Sequence, residues 1–374
     1  MINRDKEKLE EGLTMGRLNW LLVALFSVLL VGCSKAPTEP KLLADTANQV
    51  ISPLYAELNS QTQQLFQQSQ AFCQAPSEQT QQQLQQQWRD TMNAWARVQP
   101  IGFGPVETGN LRWKIQFWPD RKDLTSKKTE ALIRSDEALT AERVAAASVS
   151  GQGVAALEYL LFDERVKAVS FYQQNSRRCE LLQAIAERVH QVTQQVEDEW
   201  PDFAAKFAQP SVDNPLYPDN KAALAELLNT LVVGGEVVKR NKLGLPIANG
   251  ANAQHAKPYR LEAWRSQYSL ALMRASTETL EQLYRGNGGF GLSAYLQEQD
   301  AVDDTLLGAI DEAFAAVNTQ FAAIEAPLFT QIKQPEYYAQ LTNLRQRLDL
   351  LQRQLAKLPE KLDISLGFNS NDGD

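Results

Sequence analysis

Apolar residues recur at helical spacing along almost the whole chain after residue 43. Leu84, Trp88, Met92 and Trp95 follow one another at steps of four and three, so they share one face of a helix. Single alternation of apolar and polar residues, the pattern of a half-buried strand, is scarce. Further helices are predicted at about 44–74, 126–148, 151–162, 170–199, 221–240, 258–285, 292–299, 302–332 and 336–358. The pattern therefore predicts an all-α protein.

Proline and glycine divide these helices into two groups. Pro201, Pro210, Pro215 and Pro218 lie close together, and proline does not continue a helix. We therefore predict an N-terminal helical bundle at 44–200, a Pro-rich linker at 201–220 and a C-terminal bundle at 221–374. Segments rich in Gly, Pro or aromatic residues at 100–125, 243–252 and 285–291 are predicted loops, and Ser77 and Ser135 are predicted N-terminal caps.

The first 33 residues have the pattern of a lipoprotein signal peptide. The apolar run at 18–32 is shorter than the roughly 20 residues of a membrane-spanning helix. It ends in Leu-Val-Gly-Cys33, which predicts removal of residues 1–32, lipidation of Cys33 with palmitate-type acyl chains, and a tether at 33–43. Ser34, rather than Asp, favours the periplasmic face of the outer membrane. The alternative is a buried cysteine that ends an ordinary signal peptide.

Charge and cysteine content limit the partners. The formal net charge of −8 argues against nucleic acid as a partner. The predicted lipid on Cys33 makes the membrane an expected contact. Two histidines are too few for a multi-His metal site. In an oxidising compartment Cys73 and Cys179 are expected to form a disulfide, although two separate buried thiols remain an alternative.

Glu158 is an acidic residue within the apolar helix GQGVAALEYLLF at 151–162. A buried carboxylate is costly unless it is paired or hydrogen-bonded, so Glu158 must find an Arg, a Lys, a metal or backbone donors. Glu158 either pairs, in a structural role, with an arginine of the long loop predicted at 100–125, or it contacts a ligand. Gly153, near the start of this helix, permits a close backbone approach.

Aromatic, basic and hydroxyl side chains recur in two other segments, at 112–121 and 264–269. They predict a polar pocket with aromatic walls, while the alternative makes the Trp residues core anchors and the charges ion pairs. With Gly153 and Glu158, the candidate site consists of Arg112, Trp118, Asp120, Arg121, Trp264, Arg265, Ser266 and Ser269.

Four phrases resemble the imelysin-like family. Residues 151–162 are similar to its signature Gly-x-His-x-x-Glu followed by an aromatic-Leu-Leu run, and residues 116–120, 262–269 and 366–374 are similar to other family phrases. The resemblance implies two helical bundles with a site between them, a place in the cell envelope and a link to iron or haem acquisition. Founding members of the family were classed as metallopeptidases.

One position of the signature differs. Gly153 and Glu158 match, but Ala155 stands where the family has His. His and Glu three residues apart share a helix face and could reach one metal ion, whereas alanine offers no lone pair. Glu158 is then the one candidate metal ligand in the phrase, and the sequence contains no HExxH motif. These two observations favour a non-catalytic protein over an enzyme. Iron, haem and zinc are the groups considered, and the residues select none of them.

The leading hypothesis is therefore a periplasmic lipoprotein that acts as a binding or accessory protein in iron or haem acquisition. Its ligand site would lie between the two bundles, and its partners would include iron or haem uptake proteins. Two alternatives remain: a metallopeptidase that uses Glu158, and a structural lipoprotein that recognises a partner protein through its Gly/aromatic loops.

Overall fold

A computed structural model describes residues 38–298, 302–325 and 327–366. These residues form helices and loops without any β-strand, which confirms the predicted all-α class. No helix among them is long and apolar enough to cross a membrane. Residues 1–37, which include Cys33, and residues 367–374 lie outside the described residues, so the signal peptide and the lipidation stay predictions.

The helices are short in the loops and long in the bundles. In the first half they are α1 (Glu39–Asp45), α2 (Ser52–Gln74), α3 (Glu78–Val98), α4 (Leu111–Ile115), α5 (Leu124–Arg134), α6 (Ala141–Ala145), α7 (Gly153–Phe162), α8 (Val169–Gln174) and α9 (Ser176–Ala208). In the second half they are α10 (Asn220–Glu236), α11 (Ser269–Arg285), α12 (Leu292–Gln297), α13 (Asp304–Ala323), α14 (Leu328–Gln331), α15 (Pro335–Leu355) and α16 (Leu358–Lys361). π-Helical turns at Thr46–Ile51 and Val237–Gly244 extend α1 and α10.

Helix α9 continues through a proline that was expected to end it. Pro201 withholds the N–H that would bond the carbonyl of Glu197, yet the helix reaches Ala208. Trp200 and Phe207 are fully buried on the same helix, and Trp200 Nε1 donates to Ser52 Oγ at 2.8 Å. This packing outweighs the missing hydrogen bond, so the predicted linker start at residue 201 is wrong and the non-helical connection begins after Ala208.

Other predicted boundaries also change. The tether does not extend to residue 43, because α1 begins at Glu39 and buries Leu42 and Leu43. Ser77 caps α3 as predicted, in a reciprocal pair of hydrogen bonds with Thr80. Ser135 ends α5 instead of starting a helix, so the helix predicted at 126–148 is two. Pro258–Arg260 form one 3₁₀ turn and bends and turns follow, so the α-helix predicted there begins only at Ser269.

Helix α2 packs between α3 and α9 in the first half, and α13 packs against α15 in the second. Helix α3 also packs against α11, so the two halves are in direct contact. Their buried side chains belong to one hydrophobic core, and the described residues from Glu39 onward form one compact unit. The division into two bundles stays a prediction.

A disulfide joins the end of α2 to the start of α9. Cys73 and Cys179 are bonded, with their Cα atoms 5.5 Å apart. The bridge therefore fixes two of the three long helices of the first half against each other.

Candidate functional site

Gly153 brings the long loop against the start of the helix that carries Glu158. It has a positive φ of +71°, and a Cβ placed on it would lie 2.3 Å from the carbonyl oxygen of Ile115. The same Cβ would lie 2.9 Å from the carbonyl oxygen of Lys114. Only glycine permits this approach, which holds the residues after Ile115 beside α7.

We expect Gly153→Ala to lower the free energy of unfolding by about 2–4 kcal/mol, because left-handed strain adds to backbone overlap. Gly109→Ala is the matched control. Gly109 has a φ of +58° with open space around its Cα, so this variant carries the strain alone and should lose about 1 kcal/mol. Urea denaturation of both variants measures the difference, and equal losses would show that the contact with Ile115 is unimportant.

Glu158 is held by a turn of the second half. Its side chain is 5% exposed, and both the backbone N–H and the Oγ hydroxyl of Ser266 donate to its Oε1, each at 2.9 Å. Ala263 and Gln267 have positive φ values on either side of Ser266, which folds this turn tightly. The partner of the carboxylate is thus a serine of the other half rather than an arginine of the long loop.

The environment of Glu158 favours its protonated form. Burial raises its pKa, and the N–H of Ser266 together with the charge of Arg265 offsets part of that rise. The carboxyl group is therefore more easily protonated in the folded chain than in the unfolded chain.

A raised pKa makes the contribution of Glu158 depend on pH. Its stabilising effect is complete below the ordinary value of 4.5 and is lost as the pH rises through the raised value of the folded state. Glu158→Gln keeps an Oε1 acceptor for Ser266 but does not ionise. We expect the free energy of unfolding of this variant, relative to wild type, to increase across that window and then level off. Urea denaturation from about pH 4 to pH 8 measures it, and a constant difference would contradict the prediction.

The guanidinium of Arg265 donates its hydrogen bonds to aspartates rather than to Glu158. Its side chain is 6% exposed, its Nε donates to Asp163 at 2.9 Å, and its Nη2 donates to Asp123 at 2.6 Å. Burial alone would raise the pKa of Asp163, but hydrogen bonds from Arg165 and Arg265 hold it at about 2. The guanidinium of Arg265 also lies 4.3 Å from the ring centre of Trp264. These contacts fix the turn that carries Ser266.

A cavity of about 80 Å³ lies beside Glu158 and is lined by both halves of the chain. The long loop forms one wall, with a cis peptide bond between Trp118 and Pro119, and the turn around Trp264 forms another. Six of the predicted site residues line this cavity: Trp118, Asp120, Arg121, Glu158, Trp264 and Arg265. The structure thus brings together most of the aromatic and charged side chains that the sequence singled out.

The remaining predicted residues support the cavity or lie near it. Gly153 and Ser266 position Glu158, as described above. Ser269 begins α11, and its hydroxyl donates to the carbonyl oxygen of Glu262. Arg112 donates to the carbonyl oxygens of Gln99 and Ile101, at 2.9 and 2.6 Å, and lines a neighbouring cavity of about 260 Å³.

A buried ion pair that includes Lys242, a residue lining the second cavity, was not predicted. Lys242 and Glu262 are each 2% exposed, and Nζ lies 2.6 Å from Oε2. Gln99 accepts a hydrogen bond from Lys242 and donates one to Glu262 at 2.7 Å and one to Gln116 at 2.6 Å. Burial lowers the pKa of Lys242, and Glu262 counteracts part of that effect. Lys242 lies close to Lys239 and Arg240, and such a group of basic residues is typical of a solvent-exposed helix face. No feature of the sequence therefore indicated that Lys242 is buried.

The side chains around Glu158 do not fit a metal ion held by the protein alone. Ala155 lines the cavity and supplies no ligand atom, while Oε1 of Glu158 is bound to Ser266. Across residues 38–298, 302–325 and 327–366 no group of three His, Cys, Asp or Glu side chains could hold a metal. His190, half-buried on α9, and His255, exposed in a loop, are not among the residues that line the cavity.

The sequence profile of the imelysin family matches residues 51–355. This chain belongs to the imelysin family. It is 25% identical over 320 residues to the iron-regulated protein A of Synechococcus elongatus. The aligned segment covers 84% of this chain and 83% of the relative. The predicted membership of the imelysin-like family is therefore confirmed, and the phrase at 366–374 lies outside the residues that the profile matches.

Two solved structures share the fold of this imelysin. An imelysin-like protein from Psychrobacter arcticum superposes with a TM-score of 0.73 at 24% identity. A protein from Parabacteroides distasonis, described as an iron-regulated protein A precursor, superposes with a TM-score of 0.75 at 16% identity. Each comparison covers 88% of this chain and 97% of the other. At these identities the two structures bear on the fold alone.

Proposed function

We propose that this imelysin is a non-catalytic ligand-binding protein that serves iron or haem acquisition, with its ligand held in the cavity beside Glu158. It would act at the periplasmic face of the outer membrane, anchored through Cys33. The name of the Synechococcus relative supports the connection with iron, and the Leu-Val-Gly-Cys33 sequence supports the anchor.

The observation that carries this proposal is the arrangement around Glu158. Hydrolysis at zinc normally needs about three protein ligands and a bound water. Here the signature His is Ala155, and the remaining carboxylate is hydrogen-bonded to Ser266 of the other half. Glu158 thus joins the two halves at a cavity with aromatic walls, an arrangement suited to holding a ligand.

Titration of the purified full chain with ferric citrate and with haem tests the proposal. Trp118 and Trp264 line the cavity, so tryptophan fluorescence should report binding there. We expect binding of at least one of the two compounds, weakened at least about tenfold by Glu158→Ala, because Ser266 then loses its acceptor. Glu226→Gln, at a carboxyl group that does not line the cavity, is the control and should bind as wild type. Failure of both compounds to bind would overturn the proposal.

A further inference from the structure

The acidic side chains that line the cavity beside Glu158 are already bound by the protein. Asp120 accepts backbone N–H groups of Leu124 and Thr125 at 2.9 and 2.8 Å, at the start of α5. Glu158 accepts the two hydrogen bonds from Ser266. Both carboxylates thus already accept hydrogen bonds from the protein.

Two of the three arginines that line the cavity lack an anionic partner. Arg265 is neutralised by Asp163 and Asp123. Within the part of the chain that the structure describes, the guanidinium groups of Arg121 and Arg260 have neither a hydrogen bond nor an ion pair. Guanidinium groups remain charged at all ordinary pH values. The cavity is therefore lined by two guanidinium groups without an ion-pair partner, one from each half of the chain.

Flat aromatic surfaces lie beside these charges. Trp264 stacks on Phe329 with ring centres 5.4 Å apart and an interplanar angle of 22°, and Tyr259 meets Trp264 edge-on at 4.9 Å. Trp118 lines the same cavity from the long loop. Rigid indole and phenol rings offer apolar contact area to the body of an organic ligand.

Iron bound here must bring its own ligand atoms. The described residues contain no group of three His, Cys, Asp or Glu side chains that could coordinate it, and the lining of the cavity includes no histidine. A volume of about 80 Å³ admits a carboxylate group rather than a whole chelate. The rest of the chelate would then lie at the cavity mouth, against the aromatic rings.

We propose that the cavity recognises iron already chelated by an organic molecule that carries carboxylates, with Arg121 and Arg260 binding those carboxylates. This inference rests on the proposed function and specifies its ligand. Arginine forks bind carboxylates with two parallel hydrogen bonds, which gives both affinity and orientation. Ferric citrate and haem share this chemistry, because in each of them the organic molecule that holds the iron also carries carboxylate groups.

Charge-removing variants of the full chain test the assignment, with ferric citrate and haem as separate probes. We expect Arg121→Gln and Arg260→Gln each to weaken binding of the recognised chelate about tenfold, and the double variant about a hundredfold. Lys257→Gln removes a positive charge from the same loop as Arg260 but outside the cavity lining, so it should change the Kd less than about twofold. Arg121→Lys should restore only part of the affinity, because an ammonium lacks the fork geometry.

The outcomes separate this inference from the proposed function. Binding of either chelate that falls with both arginine variants supports the inference and identifies the chelate. Binding that is unchanged in the double arginine variant but weakened by Glu158→Ala overturns the inference and leaves the proposed function in place. Absence of binding by both chelates overturns the two together.

Discussion

Replacement of Lys242 by methionine is expected to lower the free energy of unfolding by about 3–5 kcal/mol. The substitution leaves the Glu262 carboxylate buried at 2% exposure without its cation, and the amide of Gln99 then remains as its side-chain donor. An uncompensated buried charge is among the most destabilising changes a point mutation makes. Chemical denaturation followed by circular dichroism measures the loss.

Two further variants distinguish charge burial from lost packing. Lys242→Met combined with Glu262→Leu removes both charges, so most of the lost stability should return. Lys221→Met breaks an ion pair with Asp363 whose lysine is 63% exposed, and it should cost less than about 1 kcal/mol. A double variant as unstable as Lys242→Met alone would show that packing, not the unpaired carboxylate, dominates.

Removal of the disulfide by Cys73→Ser and Cys179→Ser together is expected to cost about 4–5 kcal/mol in the chain-entropy treatment. The two cysteines are 106 positions apart, so the bond restricts a long segment of the unfolded chain. Denaturation of the wild type with and without a reductant measures the same effect without mutation. The reductant should destabilise the wild type alone, and a wild type in which Cys73 and Cys179 both react as free thiols would contradict the bond.

The helices were largely predictable because apolar spacing is a local property. Leu84, Trp88 and Trp95 are all buried on α3, as their spacing predicted. The predicted helix end at Pro201 was wrong, because α9 is stabilised there by the burial of Trp200 and Phe207 against other helices. Helix ends depend on such tertiary contacts, and one sequence does not reveal them.

The site was predictable where a residue was unusual for its surroundings. A single acid in an apolar helix identified Glu158, and an aromatic-arginine-serine phrase identified the turn that binds it. The role of Ser266 could not be derived, because it depends on a backbone turn with positive φ at Ala263 and Gln267. Lys242 was missed for the opposite reason, since lysine beside other basic residues is typical of a solvated helix face.

The cavity beside Glu158 lacks the protein ligands needed to hold a metal ion unaided. Calorimetric titration of the full chain with Zn²⁺ examines this property, with Glu158→Gln and Ala155→His as companion variants. We expect no Zn²⁺ binding by wild type that depends on Glu158, and a gain of at least about tenfold in affinity for Ala155→His, which restores an imidazole three residues before the carboxylate. Tight binding of one Zn²⁺ by wild type that is lost in Glu158→Gln would show that the protein's own side chains do hold a metal at this cavity.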